Sequence, residues 1–203
     1  MEEYLNNHNL SFGENVKGYL EKSKDYLDIL SRPDRRLPAL GDSGNSIGTQ
    51  SKKYKNFVDY EAGISVLQYS QPKPLYLSFI SGFSTNTHKH RDDLSITLQY
   101  DREDILVDPG KFNYSRNPIR TYMQSPKAHS TLFFERDKYT KEHNNRFTRL
   151  IETKNFFEND KYVLVTGVNN GFKNSYMDRT VIMLKEHPIV LLLDRTDSEE
   201  KVY

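Results

Sequence analysis

The sequence of 203 residues contains no cysteine and no long apolar run, and each absence excludes a class of protein. Without thiols the chain has no disulfide, no thiolate nucleophile and no cysteine-ligated zinc site, although this does not decide its compartment. The most apolar stretch, residues 189–193, is far shorter than the roughly 20 residues that a membrane-spanning helix needs. The start of the chain has neither a basic head nor an apolar core, so it predicts no signal peptide.

Charge of one sign is not in excess either. The 29 Lys and Arg residues nearly cancel the 28 Asp and Glu residues, so no global field indicates nucleic acid or an anionic membrane as a partner. The hydrophobic fraction of 35% and the mean hydropathy of −0.79 are on the polar side for a globular protein. Disorder is nevertheless excluded, because 14 Tyr and 11 Phe residues supply apolar surface for a core.

The N-terminal part predicts a helix followed by a loop. Apolar residues recur at helical spacing in the first thirty residues, and the pattern ends before the proline at position 33. The chain is rich in Gly, Ser and Asn from residue 38 to 51, which is typical of a loop. We therefore expect residues 1–50 to form a helical linker segment and loop, and residues 51–203 to form the folded domain.

From about residue 56 the apolar pattern changes to a period of two, which is typical of strands. Turn-forming residues separate nine such segments, and no helical pattern lies between them. The predicted strands are residues 63–69, 75–80, 90–100, 105–108, 131–134, 147–157, 161–168, 180–185 and 189–194. This predicts a mainly β protein, an antiparallel β-sandwich after a short α-helical segment. Because the chain stops just after a strand pattern, we expect the sandwich to be truncated at its C-terminus.

Residues 88–100 carry the strongest chemical signal. Apolar residues alternate from 94 to 100, as on one face of a strand. The same alternation places His88, His90 and Asp92 on that face, at the N-terminal end (the mouth) of the strand. Imidazoles and a carboxylate at the edge of an apolar face are costly without partners, so a metal ion or a catalytic pair is expected there. The alternative interpretation is surface histidines in a polar loop.

Two further segments carry residues of the same chemistry. The predicted strand 105–108 ends at Asp108 in a tight turn, and His129 directly precedes the predicted strand 131–134. Taken singly, such an Asp most often caps its own turn and such a His is usually structural. With His90, however, they could converge from three strand ends as a His-Asp-His set. Nitrogen and oxygen donors of this kind suit Zn²⁺.

The order of these motifs resembles the C-terminal β-sandwich of the heparinase II/III-like polysaccharide lyases. The matching pieces are His-x-His-x-Asp-x-Leu-Ser from His88, Leu-Val-Asp-Pro-Gly around Asp108, Arg-x-Tyr from Arg120 and Ala-His-Ser-Thr around His129. Upstream, residues 37–43 (Leu-Pro-Ala-Leu-Gly-Asp-Ser) are similar to the family's linker, which joins an α/α toroid to the sandwich. The resemblance extends from about residue 37 to 194, and the order and spacing of the motifs are more specific than any single motif.

The resemblance implies a role for each of four residues. His88 would be the catalytic histidine of a uronate site. His90, Asp108 and His129 would bind one structural Zn²⁺, which holds the sandwich beside the active site. This assignment separates the two neighbouring histidines, with His88 at the mouth and His90 nearer the interior.

Three other positions follow from the same resemblance. Asp92 would be a structural partner of the site. Arg120 matches an arginine that would bind a substrate carboxylate or anchor a loop, and we favour the loop. Ser130 departs from the pattern, since the family usually has Asn there, so a hydrogen bond near the metal is in question while the ligand is not.

The activity that the resemblance implies is β-elimination on an acidic polysaccharide. A base removes the proton at C5 of a uronic acid while the neighbouring carboxylate is neutralised, and the glycosidic oxygen then departs. In the family the base is a tyrosine on the toroid. We therefore expect the parent protein to be a polysaccharide lyase in the periplasm, outside the cell or on its surface, and these 203 residues alone to be inactive.

Other functions compete with this interpretation. His-x-His-x-Asp also opens the metallo-β-lactamase motif, but Asp93 stands where a second histidine would follow, and no alternating strand–helix pattern surrounds it. A cupin-like oxygenase could use two histidines and a carboxylate, yet the ordered motifs do not match it. The serious alternative is a non-catalytic, metal-stapled sandwich that binds polysaccharide or supports a neighbouring domain. The basic cluster at residues 52–55 is interpreted as a solvated loop, with an anionic glycan site as its alternative.

Overall fold

The computed structural model describes residues 5, 7–8, 14–44, 46–48, 51–83, 85–135, 149–172 and 175–203. Within these residues a helix, α1 (Glu14–Leu30), precedes nine strands. The strands are β1 (Phe57–Asp59), β2 (Ile64–Tyr69), β3 (Leu75–Ile80), β4 (Ile96–Tyr100), β5 (Glu103–Leu106), β6 (Ile151–Glu158), β7 (Tyr162–Asn169), β8 (Met177–Leu184) and β9 (Val190–Thr196). A short helix, α2 (Pro118–Met123), and a 3-10 turn (Pro126–Ala128) lie between β5 and β6. None of the described helices is long and apolar enough to cross a bilayer.

The strands form two antiparallel sheets that follow the order of the chain. One sheet has the order β1-β2-β3-β4-β5 and the other β6-β7-β8-β9. Each strand therefore pairs with its sequence neighbour, and the inner faces of the two sheets share one apolar core. That core contains Leu67, Leu75, Leu77, Phe79, Leu94, Ile96, Phe134, Val163, Val165, Met177, Val181 and Met183. The prediction of a mainly β antiparallel sandwich with a helical N-terminal segment is confirmed.

Alternating burial shows which faces the sheets present to the core. In β7, buried positions such as Val163 and Val165 alternate with half-exposed ones, as expected for a strand with one face on the core. In contrast, every residue of β3 is buried. Its outer face is also covered, since the hydroxyl of Tyr76 donates a hydrogen bond to the carbonyl of Leu30 at the end of α1 (2.8 Å).

The helix α1 packs against the five-stranded sheet by its C-terminal half. The ring of Tyr26 contacts Phe57 edge-on at 5.3 Å, and its hydroxyl donates to Asp59 at 3.2 Å. The Gln68 side chain in β2 donates to the carbonyl of Ile29 at 3.2 Å. The division of the chain at residue 50 stays a prediction, but the helix before that point is joined to the sandwich by these contacts.

Several predicted strand limits are wrong. The strand predicted from residue 90 begins only at Ile96, because His88 and Leu94 both adopt left-handed backbone with φ 63°. The strand predicted at 105–108 lies two residues earlier. The predicted strand at 131–134 is reduced to a single bridge between Phe134 and Val202. The sequence pattern also misses β1, and residues 147–148 of another predicted strand lie outside the described part of the chain.

Candidate catalytic and metal site

The linker segment, residues 37–43, packs against the segments that contain His88 and Lys111. The backbone NH of Asp42 donates to the carbonyl of His88 at 3.0 Å, and that of Lys111 donates to the carbonyl of Ser43 at 2.9 Å. Directly before Asp42, Gly41 has φ +55°, and a Cβ at this position would lie only 2.7 Å from the carbonyl oxygen of His88. Glycine is therefore required at residue 41 by both its backbone angle and its surroundings. The result is that Asp42 is fixed beside the histidines.

The carboxylate of Asp42 has three side-chain partners. Its side chain is 3% exposed and lies 3.1 Å from Nδ1 of His88 and 2.9 Å from Nε2 of His90. Arg120 donates to both oxygens, at 3.0 and 3.2 Å. Burial by itself raises the pKa of Asp42, but the hydrogen bonds from Arg120, His90 and His88 outweigh it and hold the pKa well below its usual range.

These contacts assign the protons on both rings. An ionised carboxylate only accepts hydrogen bonds, so Nδ1 of His88 and Nε2 of His90 are the atoms that donate to Asp42. In the neutral rings the lone pair then lies on Nε2 of His88 and on Nδ1 of His90. The first is on an exposed ring and the second on a buried one.

The structure brings the three predicted metal ligands together. His90, Asp108 and His129 each offer a ligand atom, and these atoms lie within 4.8 Å of one another. Nδ1 of His129 lies 2.7 Å from the Asp108 carboxylate, which again leaves the lone pair on the opposite nitrogen, Nε2. Nδ1 of His90 and Nε2 of His129 are both buried and have no hydrogen-bond partner in the described part of the chain. Two unpartnered imidazole nitrogens beside a carboxylate fit a divalent metal ion.

His88 lies apart from this group, at the surface. Its side chain is 58% exposed, and its ring centroid is 5.7 Å from that of Tyr114. The guanidinium of Arg120 lies over the ring of Tyr114, 5.2 Å from its centroid, and also donates to the carbonyl of Asn113. Arg120 therefore connects Asp42 with the loop before α2.

A buried lysine fixes the backbone between the two histidines. Nζ of Lys89 donates to the carbonyl of His90 at 2.8 Å and forms ion pairs with Asp92 and, at 3.1 Å, with Asp93. Burial lowers the pKa of Lys89, but the two carboxylates outweigh it and the net direction is upward. The expectation that Asp92 shares the mouth with the histidines is wrong, because the chain turns here instead of continuing β4 and Asp92 pairs with Lys89.

An open groove of about 770 Å³ follows α2 beside this site. Exposed basic side chains, Arg116 and Lys127, line it together with Tyr122 and with Arg120. The groove therefore offers positive charge and an aromatic ring to an anionic ligand.

Sequence reasoning missed two residues of the site. Asp42 lies inside the motif of residues 37–43, whose resemblance predicts only a connecting segment. A signal was present, because Gly-Asp-Ser is a turn sequence that commonly places a carboxylate at a tight bend. Nothing in the pattern distinguishes Tyr114 from the other tyrosines.

Comparison with known proteins decides the family. Residues 51–201 match the family described as "Heparinase II/III-like, C-terminal". The chain belongs to this family. The resemblance predicted from the motif order is thereby confirmed, and no curated protein matches the chain in sequence.

Solved structures show the same fold in larger proteins. A heparinase III superimposes with a TM-score of 0.78 at 14% identity, covering 94% of this chain and 34% of the other. The heparan sulfate lyase HepC from Pedobacter heparinus gives 0.74 at 16% identity, covering 91% and 33%. A further heparinase III gives 0.71 at 14% identity, covering 90% and 35%. The family domain described here thus spans about a third of the length of these proteins.

Proposed function

We propose that this chain is the C-terminal domain of a polysaccharide lyase that cleaves uronic-acid-containing polysaccharide by β-elimination. One observation carries the proposal beyond family membership. The buried carboxylate of Asp42 holds two imidazoles, the exposed ring of His88 and the buried ring of His90. His90 belongs to the metal-competent group, which is the set His90, Asp108 and His129. The related structures are named as a heparan sulfate lyase and as heparinases, which supports an acidic polysaccharide as the substrate class.

The catalytic role falls to His88. Because its Nδ1–H is bound to Asp42, Nε2 faces away from the carboxylate on an exposed ring and is available to a bound sugar. The lone pair of Nε2 can accept a hydrogen bond from a sugar hydroxyl. Once protonated, Nε2 can donate to the uronate carboxylate or pass its proton to the leaving oxygen, and an elimination requires such a group. The base that removes the C5 proton would come from the preceding α/α toroid, in the part of the relatives that this chain does not span.

The metal role falls to His90, Asp108 and His129, with Zn²⁺ as the proposed ion. Their side chains are at most 1% exposed, so the ion would be structural. A bound Zn²⁺ would compensate the charge of Asp108 and join the segments before β4, after β5 and after the 3-10 turn. Asp42 and the segment that contains it then hold His88 in a fixed position next to this metal-bound group.

The groove along α2 supports the substrate class. Arg116, Arg120 and Lys127 give it net positive charge, since no acidic residue lines it in the described part of the chain. A carboxylated or sulfated sugar chain would lie along this groove, which shares Arg120 with the Asp42 carboxylate that holds His88. Tyr122 supplies an exposed ring on which a sugar can stack.

The test measures metal and product in the same preparations. The chain and its full-length parent are purified without added metal, and elemental analysis should find close to one zinc per chain. The parent should release unsaturated uronate products, followed by their ultraviolet absorbance, and lose stability when zinc is chelated. A chain equally stable with and without chelator would contradict the metal site. A parent that binds the polysaccharide without releasing unsaturated product would favour the non-catalytic sandwich instead.

A further inference from the structure

An arginine lies in the interior of the sandwich, where an apolar residue is expected. Arg179 belongs to the core-facing row of β8, on the same side as Val181 and Met183, and is 5% exposed. Its cross-strand partners are Gly167 in β7 and Asp194 in β9. A buried guanidinium is expensive to desolvate, so its hydrogen bonds must use most of its donors.

The guanidinium of Arg179 crosses from one sheet to the loops of the other. Its Nε and Nη2 donate to the two oxygens of Asp194, at 2.7 and 3.0 Å. Its Nη1 donates to the carbonyl of Leu94 at 2.8 Å and to the carbonyl of Ser130 at 2.7 Å. One side chain of the four-stranded sheet thus holds two separate backbone segments of the opposite layer.

Those two segments carry the two imidazoles of the metal-competent group. Leu94 ends the turn that begins with His90, and Ser130 is the residue after His129. The Leu94 side chain packs over Gly167, where an added Cβ would lie 2.9 Å from Leu94 Cδ2. Leu94 is therefore fixed by its carbonyl and by its side chain against neighbouring strands of the same sheet.

We propose that Arg179, held by Asp194, is a positioning residue that sets the separation of His90 and His129 and thereby the affinity for the metal. The inference rests on the proposed metal centre but concerns residues that do not contact it. It also explains why the side chain is arginine, because only a planar fork can donate to a carboxylate in two bonds and to two carbonyls at once.

A conservative substitution tests this, with a matched control on the same two strands. Arg179→Lys keeps the positive charge but removes the planar guanidinium that donates two hydrogen bonds to Asp194. Arg195→Lys makes the same change in the neighbouring pair, where Arg195 is 71% exposed and contacts Asp178 at 3.0 Å. We expect Arg179→Lys to weaken Zn²⁺ binding roughly 10- to 100-fold, as for other residues that orient metal ligands, and to change the absorption spectrum of the Co²⁺-substituted chain. Arg195→Lys should leave both unchanged.

The results separate a positioning role from a structural one. An Arg179→Lys chain that melts earlier but binds Zn²⁺ as tightly as wild type, with the same Co²⁺ spectrum, would overturn the proposal. If Arg179→Lys does not fold, Asp194→Asn provides the same comparison. It leaves the arginine in place and weakens the hydrogen bonds that fix its guanidinium at residue 194.

A failure of the metal centre itself is distinguishable. If the wild-type chain binds no metal, the NMR signal of the His129 Nδ1 proton reports on the same alignment, since that proton is donated to Asp108. The signal should then persist in wild type and Arg195→Lys and be shifted or lost in Arg179→Lys. An unchanged signal in Arg179→Lys would overturn the positioning role.

Discussion

Nε2 of His90 lies 2.9 Å from Oδ1 of Asp42, and this contact determines which nitrogen of a fully buried ring is available. The carboxylate fixes the proton on Nε2 and leaves the lone pair on Nδ1, which is buried and has no hydrogen-bond partner in the described part of the chain. A carboxylate on the far nitrogen is the common arrangement for metal-bound histidine, because it fixes the ring and makes the ligand more basic. The linker residue is therefore part of the site and not merely part of a connection.

Asp42→Asn should accordingly weaken metal binding. The amide can donate to Nε2 of His90, which would move the ring proton to the atom that should bind the metal. We expect Zn²⁺ affinity to fall roughly 10- to 100-fold in a competition titration with a chelating dye. Asp25→Asn is the control, since Asp25 is an exposed partner of Lys53 outside the site. Equal affinities for the two variants would contradict the role of Asp42.

Lys89→Met should destabilise the domain strongly. The substitution would remove the cation that pairs with the buried carboxylates of Asp92 and Asp93, and breaking a buried pair in this way typically costs about 3–5 kcal/mol. Urea unfolding measures the loss. Lys53→Met, which removes an exposed pair with Asp25, should leave the free energy of unfolding nearly unchanged. Similar small effects for both variants would show that Lys89 does not hold this segment.

Lys52 should make stability depend on pH at the junction of α1 and β2. Burial, together with the charge of Arg35, lowers its pKa to about 7 against the opposing effect of Asp28. The unfolded chain keeps the ordinary value of 10.5, so between pH 7 and about 10 it binds more protons than the folded chain. The free energy of unfolding should therefore rise with pH across this window, and Lys52→Met should remove that rise. Parallel curves for the two proteins would contradict the lowered pKa.

The motif order predicted most of the site, and the backbone explains what it missed. His90, Asp108 and His129 converge as predicted, because residues at three element ends meet at one edge of the sandwich. The turn that brings His88 and His90 onto one carboxylate was not visible, since His88 takes a left-handed conformation that non-glycine residues rarely adopt. For the same reason, the alternating pattern wrongly predicts a strand from residue 90, whereas β4 begins at Ile96.

The errors in the strands have similar local causes. At three residues, β1 is too short to show an alternating pattern. Residues 131–134 have such a pattern, but the only strand partner described for them is the end of the chain, where Phe133 and Tyr203 exchange backbone hydrogen bonds at 3.0–3.1 Å. Alternation alone cannot show which partner a strand will find.

The isolated chain should bind metal and lack lyase activity. We propose that the base belongs to the part of the relatives that this chain does not span, so we expect His88 alone not to remove the C5 proton. Incubation of the 203-residue chain with heparan sulfate and with other uronic-acid polysaccharides should release no unsaturated product above a blank, while the full-length parent does. Robust product release by the chain alone would show that the base has been assigned to the wrong domain.

His88 and His90 are separated by one residue and should have different functions, which a pair of alanine variants of the full-length parent distinguishes. His88→Ala should lower turnover by about 10²- to 10⁴-fold, the usual contribution of a proton-transfer group, while zinc content and melting temperature stay close to wild type. His90→Ala should lower turnover, zinc content and melting temperature together, because it removes a buried ligand. Loss of zinc in His88→Ala, or full turnover without His88, would show that the two histidines do not have these separate functions.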